Sequence, residues 1–355
     1  MKTKTLLTLF SAFLVVFFSC SSDDDNFIIP EVPGQNMEEG EIQIVYNSTE
    51  DGATFKFNAM LDDSEESEIE VNWGDNRKLK SYSSGEISYP YPLEDGEYVI
   101  TIKTKGLKEF SIKDVKTATR LKSFFLGNCP MLENFYIYLN DNQLENFDIT
   151  SCPSIGKSLT FKIYRPNFNF DGLKNVKSLS LEINQPMSVK LDDFECSFLH
   201  VYMGDIILPS LHINKAENLK NLQISGWRMK TSINDFKIEA SSLDQMRVNY
   251  LTFTNDFNLK STSQLKSILL NEFDCLKNVT FNDEINKIEI YNYPYGGKKS
   301  AIEKLDFTNC IGLKGLYIQG LSNLREVNLE GLPNLEYAHI IESEYMDDYH
   351  WSKKK

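Results

Sequence analysis

The sequence predicts a mainly β protein: a long repeat solenoid over residues 116–345, preceded by a small β-sandwich over residues 38–112. Three observations carry this reading. An apolar pattern L-x-x-L-x-L, where L is any apolar residue, recurs from residue 121 to residue 340. Residues 40–110 instead alternate apolar and polar residues in short runs divided by turn signals. The first 37 residues follow neither rhythm, and residues 346–355 form a short polar tail.

The N-terminal stretch is the simplest to justify. Lys2 and Lys4 precede an apolar run from Leu6 to Phe18, which ends at Ser19-Cys20 and gives way to Ser21-Ser22-Asp23-Asp24-Asp25. As a helix that run rises roughly 20 Å, too short for a hydrocarbon core of about 30 Å. A basic start, a short apolar segment and a small residue before the break read as a secretory signal. With cysteine directly after Ser19, the segment resembles a bacterial lipoprotein signal, although Phe17 stands where that signal usually has leucine. The resemblance implies cleavage of residues 1–19 and acylation of Cys20, which places outer-membrane lipid among the partners; the alternative is an ordinary cleaved signal. Two or three acyl chains anchor stably where one does not. Ser21, Ser22, Asp23, Asp24 and Asp25 resemble the acidic export signal of Bacteroidota-type surface lipoproteins, which implies display on the outer face of the outer membrane. Residues 20–37, with Pro30, Pro33 and Gly34, read as a tether.

The predicted sandwich rests on alternating runs. Glu41–Tyr46, Ala53–Ala59, Ile69–Asn72 and Gly96–Ile102 each read as a strand, with turns about every 10 residues. Trp73-Gly74-Asp75-Asn76 and the later Gly96-Glu97-Tyr98 together resemble PKD-like domains. That resemblance implies an immunoglobulin-like fold that serves as a spacer or a weak binding module. Asn76 stands where the family has glycine, a place Asn tolerates because it accepts positive φ.

The repeat occupies the rest. It runs Leu121-Phe124-Leu126, Leu132-Phe135-Ile137, Leu144-Phe147-Ile149, and later Val176-Leu179-Leu181, Leu219-Leu222-Ile224, Leu243-Met246-Val248, Leu265-Ile268-Leu270 and Leu276-Val279-Phe281. It closes with Ile302-Leu305-Phe307, Leu313-Leu316-Ile318, Leu324-Val327-Leu329 and Leu335-Ala338-Ile340. Starts fall 11 or 12 residues apart within pairs and 20 to 24 apart between alternate members. The last two apolar positions are two apart and point to one side of a strand. No single coil covers its own apolar face, so the coils must stack. About ten coils are expected, and the motif weakens over 150–175, 185–215 and 226–242, where insertions such as Trp227-Arg228-Met229-Lys230 fall. The period resembles a leucine-rich-repeat solenoid of the irregular kind found in bacterial surface proteins. Counting the first apolar residue as one, Cys129, Asn140, Cys152, Asn184 and Cys310 hold position nine. In that family Asn or Cys there satisfies backbone groups freed at the turn. A structural thiol is the favoured reading, though Cys129 and Cys152 lie one coil apart and geometry permits a disulfide.

The chemistry of the chain points to contact. A net charge of -14 argues against nucleic acid and against an anionic membrane surface as partner. The cysteine spacings match no zinc template, the four histidines form no metal motif, and no nucleophile or nucleotide motif stands out. No metal, cofactor or enzymatic activity is therefore expected. Positions five and seven of the motif point outward and hold Tyr136, Tyr138, His200, Tyr202, Tyr291, Tyr317 and His339. Such a row is amphipathic surface for a protein or a sugar, or else a ladder that stabilises the sheet. The expectation is a non-enzymatic, adhesin-like surface lipoprotein that binds an extracellular protein or glycan through its solenoid. The alternative is a glycan-capture lipoprotein serving a nutrient-uptake system.

Overall fold

The computed structural model describes residues 33–49, 53–64, 66–75, 80–139, 144–149, 158–163, 176–227, 231–292, 300–341 and 349–352. Cys20, Ser21, Ser22, Asp23, Asp24, Asp25, Asn140 and Cys152 lie outside them. The chain is mainly β with almost no helix and contains a β-solenoid of about nine turns, one fewer than expected.

Seven strands come first: β1 (Glu41–Ser48), β2 (Ala53–Leu61), β3 (Glu68–Asn72), β4 (Lys80–Tyr82), β5 (Gly85–Tyr91), β6 (Gly96–Lys105) and β7 (Leu107–Ile112). The short helix α1 (Val115–Ala118) follows, its first turn capped by the Asp114 side chain, which accepts from the Thr117 N–H. Next come β8 (Leu121–Leu126), β9 (Asn134–Leu139), β10 (Asn146–Asp148), β11 (Ser158–Ile163), β12 (Ser178–Ile183), β13 (Ser188–Asp192), β14 (Phe198–Met203), β15 (Ile207–Asn214), β16 (Asn221–Gly226) and β17 (Ser232–Ile238). The last ten are β18 (Gln245–Phe253), β19 (Phe257–Asn258), β20 (Ser267–Cys275), β21 (Val279–Thr280), β22 (Lys287–Tyr291), β23 (Lys304–Asp306), β24 (Gly315–Gln319), β25 (Glu326–Asn328), β26 (Tyr337–Ile341) and β27 (Tyr349–Ser352).

A front sheet of parallel strands runs β7-β9-β11-β12-β14-β16-β18-β20-β22-β24-β26. In-register pairing aligns Phe110, Phe135, Leu159, Leu179, Leu199, Leu222, Met246, Ile268, Ile288, Leu316 and Ala338 in one column. These are the fourth apolar positions of the motif, and the sixth positions form a parallel column from Ile112 to Ile340. Leu181, Val248 and Ile318 of that second column are wholly buried. Alternate motif copies supply the return strands: β8 pairs with β10, β19 with β21 and β23 with β25, all parallel. Both halves of a coil thus carry the motif.

The weak segments hold front strands β11 and β14 and also return strands. β13, β15 and β17 pair in parallel, and Leu208-Leu211-Ile213 and Ile233-Phe236-Ile238 are buried with the motif's own spacing. Leu276 differs from expectation: it is 55% exposed, and Cys275 beside it fills the core.

β18 and β20 are long because each turns a corner. Their first halves belong to the front sheet, whereas Thr252 and Phe253 pair with Ser232 and Ile233 of β17. The turn falls at Tyr250 (φ 54) and Glu272 (φ 50), left-handed residues that face successive coils.

The described strands of residues 38–112 run into the repeats through continuous sheets. β2 joins β5 and β7 in antiparallel pairing, and β7 then pairs in parallel with β9, so the front sheet begins inside that region. On the other side β4-β3-β6-β1-β8 is antiparallel and passes into the repeats through β8 and β10. The core under these strands is aromatic. Trp73 is 1% exposed, stacks on Tyr89 at 4.5 Å and donates from Nε1 to the Tyr82 hydroxyl at 3.2 Å. Gly74 is required beside it: φ is +76 and a Cβ would stand 2.6 Å from the Val99 oxygen. At the far end β27 closes the front sheet by antiparallel pairing with β26.

Candidate functional site: the front face of the stack

Residues at positions three, five and seven of each front strand point away from the core. Position five runs Tyr136, Thr160, Ser180, His200, Gln223, Arg247, Leu269, Glu289, Tyr317 and His339 across successive strands. All seven aromatics expected to face outward do lie on this face, each half-buried. They form three groups, not one row.

The first group is Tyr136 and Tyr138 on β9, with the Lys113 ammonium 5.4 Å above the Tyr136 ring. The second is His200 and Tyr202 on β14, centroids 6.4 Å apart, extended by Trp227 at 6.3 Å from Tyr202, edge to face. Trp227 directly follows β16 and is 59% exposed. His200 Nε2 is buried without a partner, and burial holds its pKa below the usual histidine range, so the ring is neutral at neutral pH. The third is a ladder: Tyr291 to Tyr317 at 5.0 Å, Tyr317 to His339 at 6.3 Å, and His339 to Tyr337 at 5.8 Å. Gly315 makes room for it, because a Cβ there would stand 2.4 Å from the Tyr337 ring.

Between the second and third groups lies a groove of about 270 Å³ over β14 to β22, lined by Phe198, Gln223, Gln245, Arg247, Lys287 and Glu289 among others. Its amides offer both donors and acceptors. Gln223 donates to Ser225 at 3.3 Å, and Glu289 accepts from Lys287 at 3.0 Å and from the Tyr291 hydroxyl at 3.4 Å. From β14 to β26 the face spans six strand spacings, roughly 29 Å. No family model matches the sequence, and no curated protein or solved structure matches it either. The face must therefore be read from its own chemistry.

Phe198, Tyr337, Gln245 and Arg247 belong to this face, and the sequence reading did not select them. Phe198, Gln245 and Tyr337 hold position three, which has the same parity as five and seven. The period-2 rule that found the tyrosines therefore also reaches them. Arg247, at position five, is simply not aromatic.

The position-nine thiols sit away from this face. Cys129 and Cys310 are buried, and burial pushes Cys310 up to about 12. Asn184 stands at the end of β12, where its amide donates to Glu182 at 3.2 Å. Other side chains also bond to backbone oxygens of neighbouring coils. The Asn282 amide donates to Thr262 and Leu265 at 2.7 and 3.3 Å, and the Cys275 thiol donates to Asn255 at 3.3 Å. Among the described residues no three His, Cys, Asp or Glu side chains converge as a metal site, and no helix is long and apolar enough to cross a membrane.

Proposed function

We propose that this chain is a non-enzymatic lipoprotein, anchored through Cys20 and displayed on the outer face of a bacterial outer membrane, which holds an extracellular glycan along its front sheet. The solenoid is read as leucine-rich-repeat-like. Residues 38–112 are read as an immunoglobulin- or PKD-like unit that caps the stack and holds it away from the lipid.

The observation that carries the proposal is the groove over β14 to β22, with aromatic clusters at both ends. Amide and charged side chains in its floor suit hydroxyl groups, and the rings suit the C–H faces of sugars. The length of the face suits a polymer more than a small molecule. A protein ligand is the second reading, favoured by Trp227 beside Tyr202, since exposed Trp and Tyr are frequent anchors of protein contacts.

A panel of glycans and extracellular matrix proteins, tested against the purified protein, separates the two. Glycan binding that weakens in Tyr202→Ala and Tyr317→Ala is expected. Binding to matrix proteins alone, abolished by Trp227→Ala, would replace the first reading with the second. Turnover of any polymer would sink the non-enzymatic assignment.

A further inference from the structure

We propose that the groove recognises a carboxylate-bearing sugar, so that the ligand is an acidic glycan; this rests on the glycan reading above.

The argument starts from Arg247. Its side chain lies in the groove floor, exposed, at the centre of the position-five column. Its neighbours in that column are Gln223 on β16 and Leu269 on β20, neither of which carries a negative charge. Among the described residues nothing forms a hydrogen bond, ion pair or ring contact with its guanidinium. Four other cations on the repeat strands are matched: Lys190 to Asp192 at 2.5 Å, Lys237 to Asp235 at 3.2 Å, Lys287 to Glu289 at 3.0 Å and Lys304 to Glu326 at 2.7 Å. Glu289, the acid of the groove, is two strands from Arg247, roughly 10 Å, and already bound to Lys287.

A guanidinium offers a planar fork that matches a carboxylate through two parallel hydrogen bonds. The groove supplies what a sugar needs around that carboxylate. Phe198, 39% exposed, offers a ring at one end, and Gln223 and Gln245 flank the arginine on the adjacent strand and on its own. The net charge of -14 does not oppose this, because charges beyond about 8 Å are screened at physiological salt. At the turns entering β16, β18 and β20, Lys220 and Lys266 are balanced by Asp244 and by Glu284, which pairs with Lys266 at 3.7 Å, so Arg247 is the unmatched cation of the groove.

The test titrates the purified protein with polygalacturonate, with the same polymer after carboxyl reduction, with dextran and with dextran sulfate. Polygalacturonate should bind, lose affinity as salt is raised, and bind about ten-fold or more weakly after carboxyl reduction. Arg247→Gln should remove that preference while the melting temperature stays put, and Arg247→Lys should restore only part of it, because the charge returns without the fork. Lys237→Gln, on a return strand, should change nothing. Equal binding of reduced and unreduced polymer, or a preference for dextran sulfate, would overturn the carboxylate proposal and leave the glycan reading intact. Failure of every polymer to bind would overturn both.

Discussion

The side-chain amide of Asn292 donates to the backbone oxygen of Phe273 at 3.0 Å and so ties the end of β22 to the corner of the coil before it. On its other side, the Asn292 backbone oxygen lies 1.6 Å from where a Cβ on Gly320 would stand. Three successive coils therefore meet at this corner with no spare room. Asn292→Ala leaves a buried carbonyl unsatisfied and should cost about 1–3 kcal/mol. Gly320→Ala should cost more than the usual glycine replacement, since φ is +77 and the space is filled. Urea denaturation would check both, and a Gly320→Ala protein as stable as the parent would contradict this packing.

The two faces of one strand predict opposite sensitivities. Leu181 is wholly buried, in register with positions 161 and 201 of the flanking strands, whereas its neighbour Glu182 points outward. Leu181→Ala should destabilise by about 2–5 kcal/mol through the cavity it leaves. Glu182→Ala should stay within roughly 0.5 kcal/mol. Chemical denaturation of the pair measures the contrast directly.

The buried thiols predict a loss of stability at alkaline pH. Burial raises Cys196 and Cys310 from a usual 9.0 to about 12. Their neutral forms are favoured in the folded chain, so the stabilisation is complete below pH 9.0 and is lost as pH rises towards about 12. Cys196→Ala and Cys310→Ala should flatten that decline. At pH 8 the four described thiols, all buried, should resist a thiol reagent until denaturant is added. Rapid labelling of the native protein would contradict their burial.

The aromatic groups should not contribute equally to binding. Tyr136 and Tyr138 lie three strand spacings from His200, beyond the end of the groove, and Tyr136 is engaged by Lys113. Tyr136→Ala should leave glycan affinity within about two-fold, while Tyr202→Ala should lower it by about ten-fold. Isothermal titration of the two variants against one ligand decides the point.

The anchor makes a cellular prediction. Metabolic labelling with palmitate should vanish in Cys20→Ala. Replacing Asp23, Asp24 and Asp25 with alanine should protect the protein from protease added to intact cells, with labelling retained.

Much of the fold was legible because burial along a strand alternates with period two. The fourth and sixth motif positions could be read as core from Leu179-Leu181 or Leu316-Ile318 alone. The return strands β13, β15 and β17 were harder, because their apolar residues follow the front strands at variable distances, and β13 has Pro186 at the first place. The junction between the first strands and the repeats was hidden for a different reason. Leu107–Ile112 reads as one more alternating strand, and nothing within it records that Phe110 pairs in parallel with Phe135.

By itself the sequence determined the repeat period, the buried columns and the outward tyrosines. Only the tertiary structure decided which outward residues are neighbours. Side-chain direction is a local property of each strand, but lateral neighbours depend on the register between coils of unequal length. That register divides seven aromatics into three groups, sets Trp227 against Tyr202, and places Arg247 between Gln223 and Leu269, neither of which is an acid.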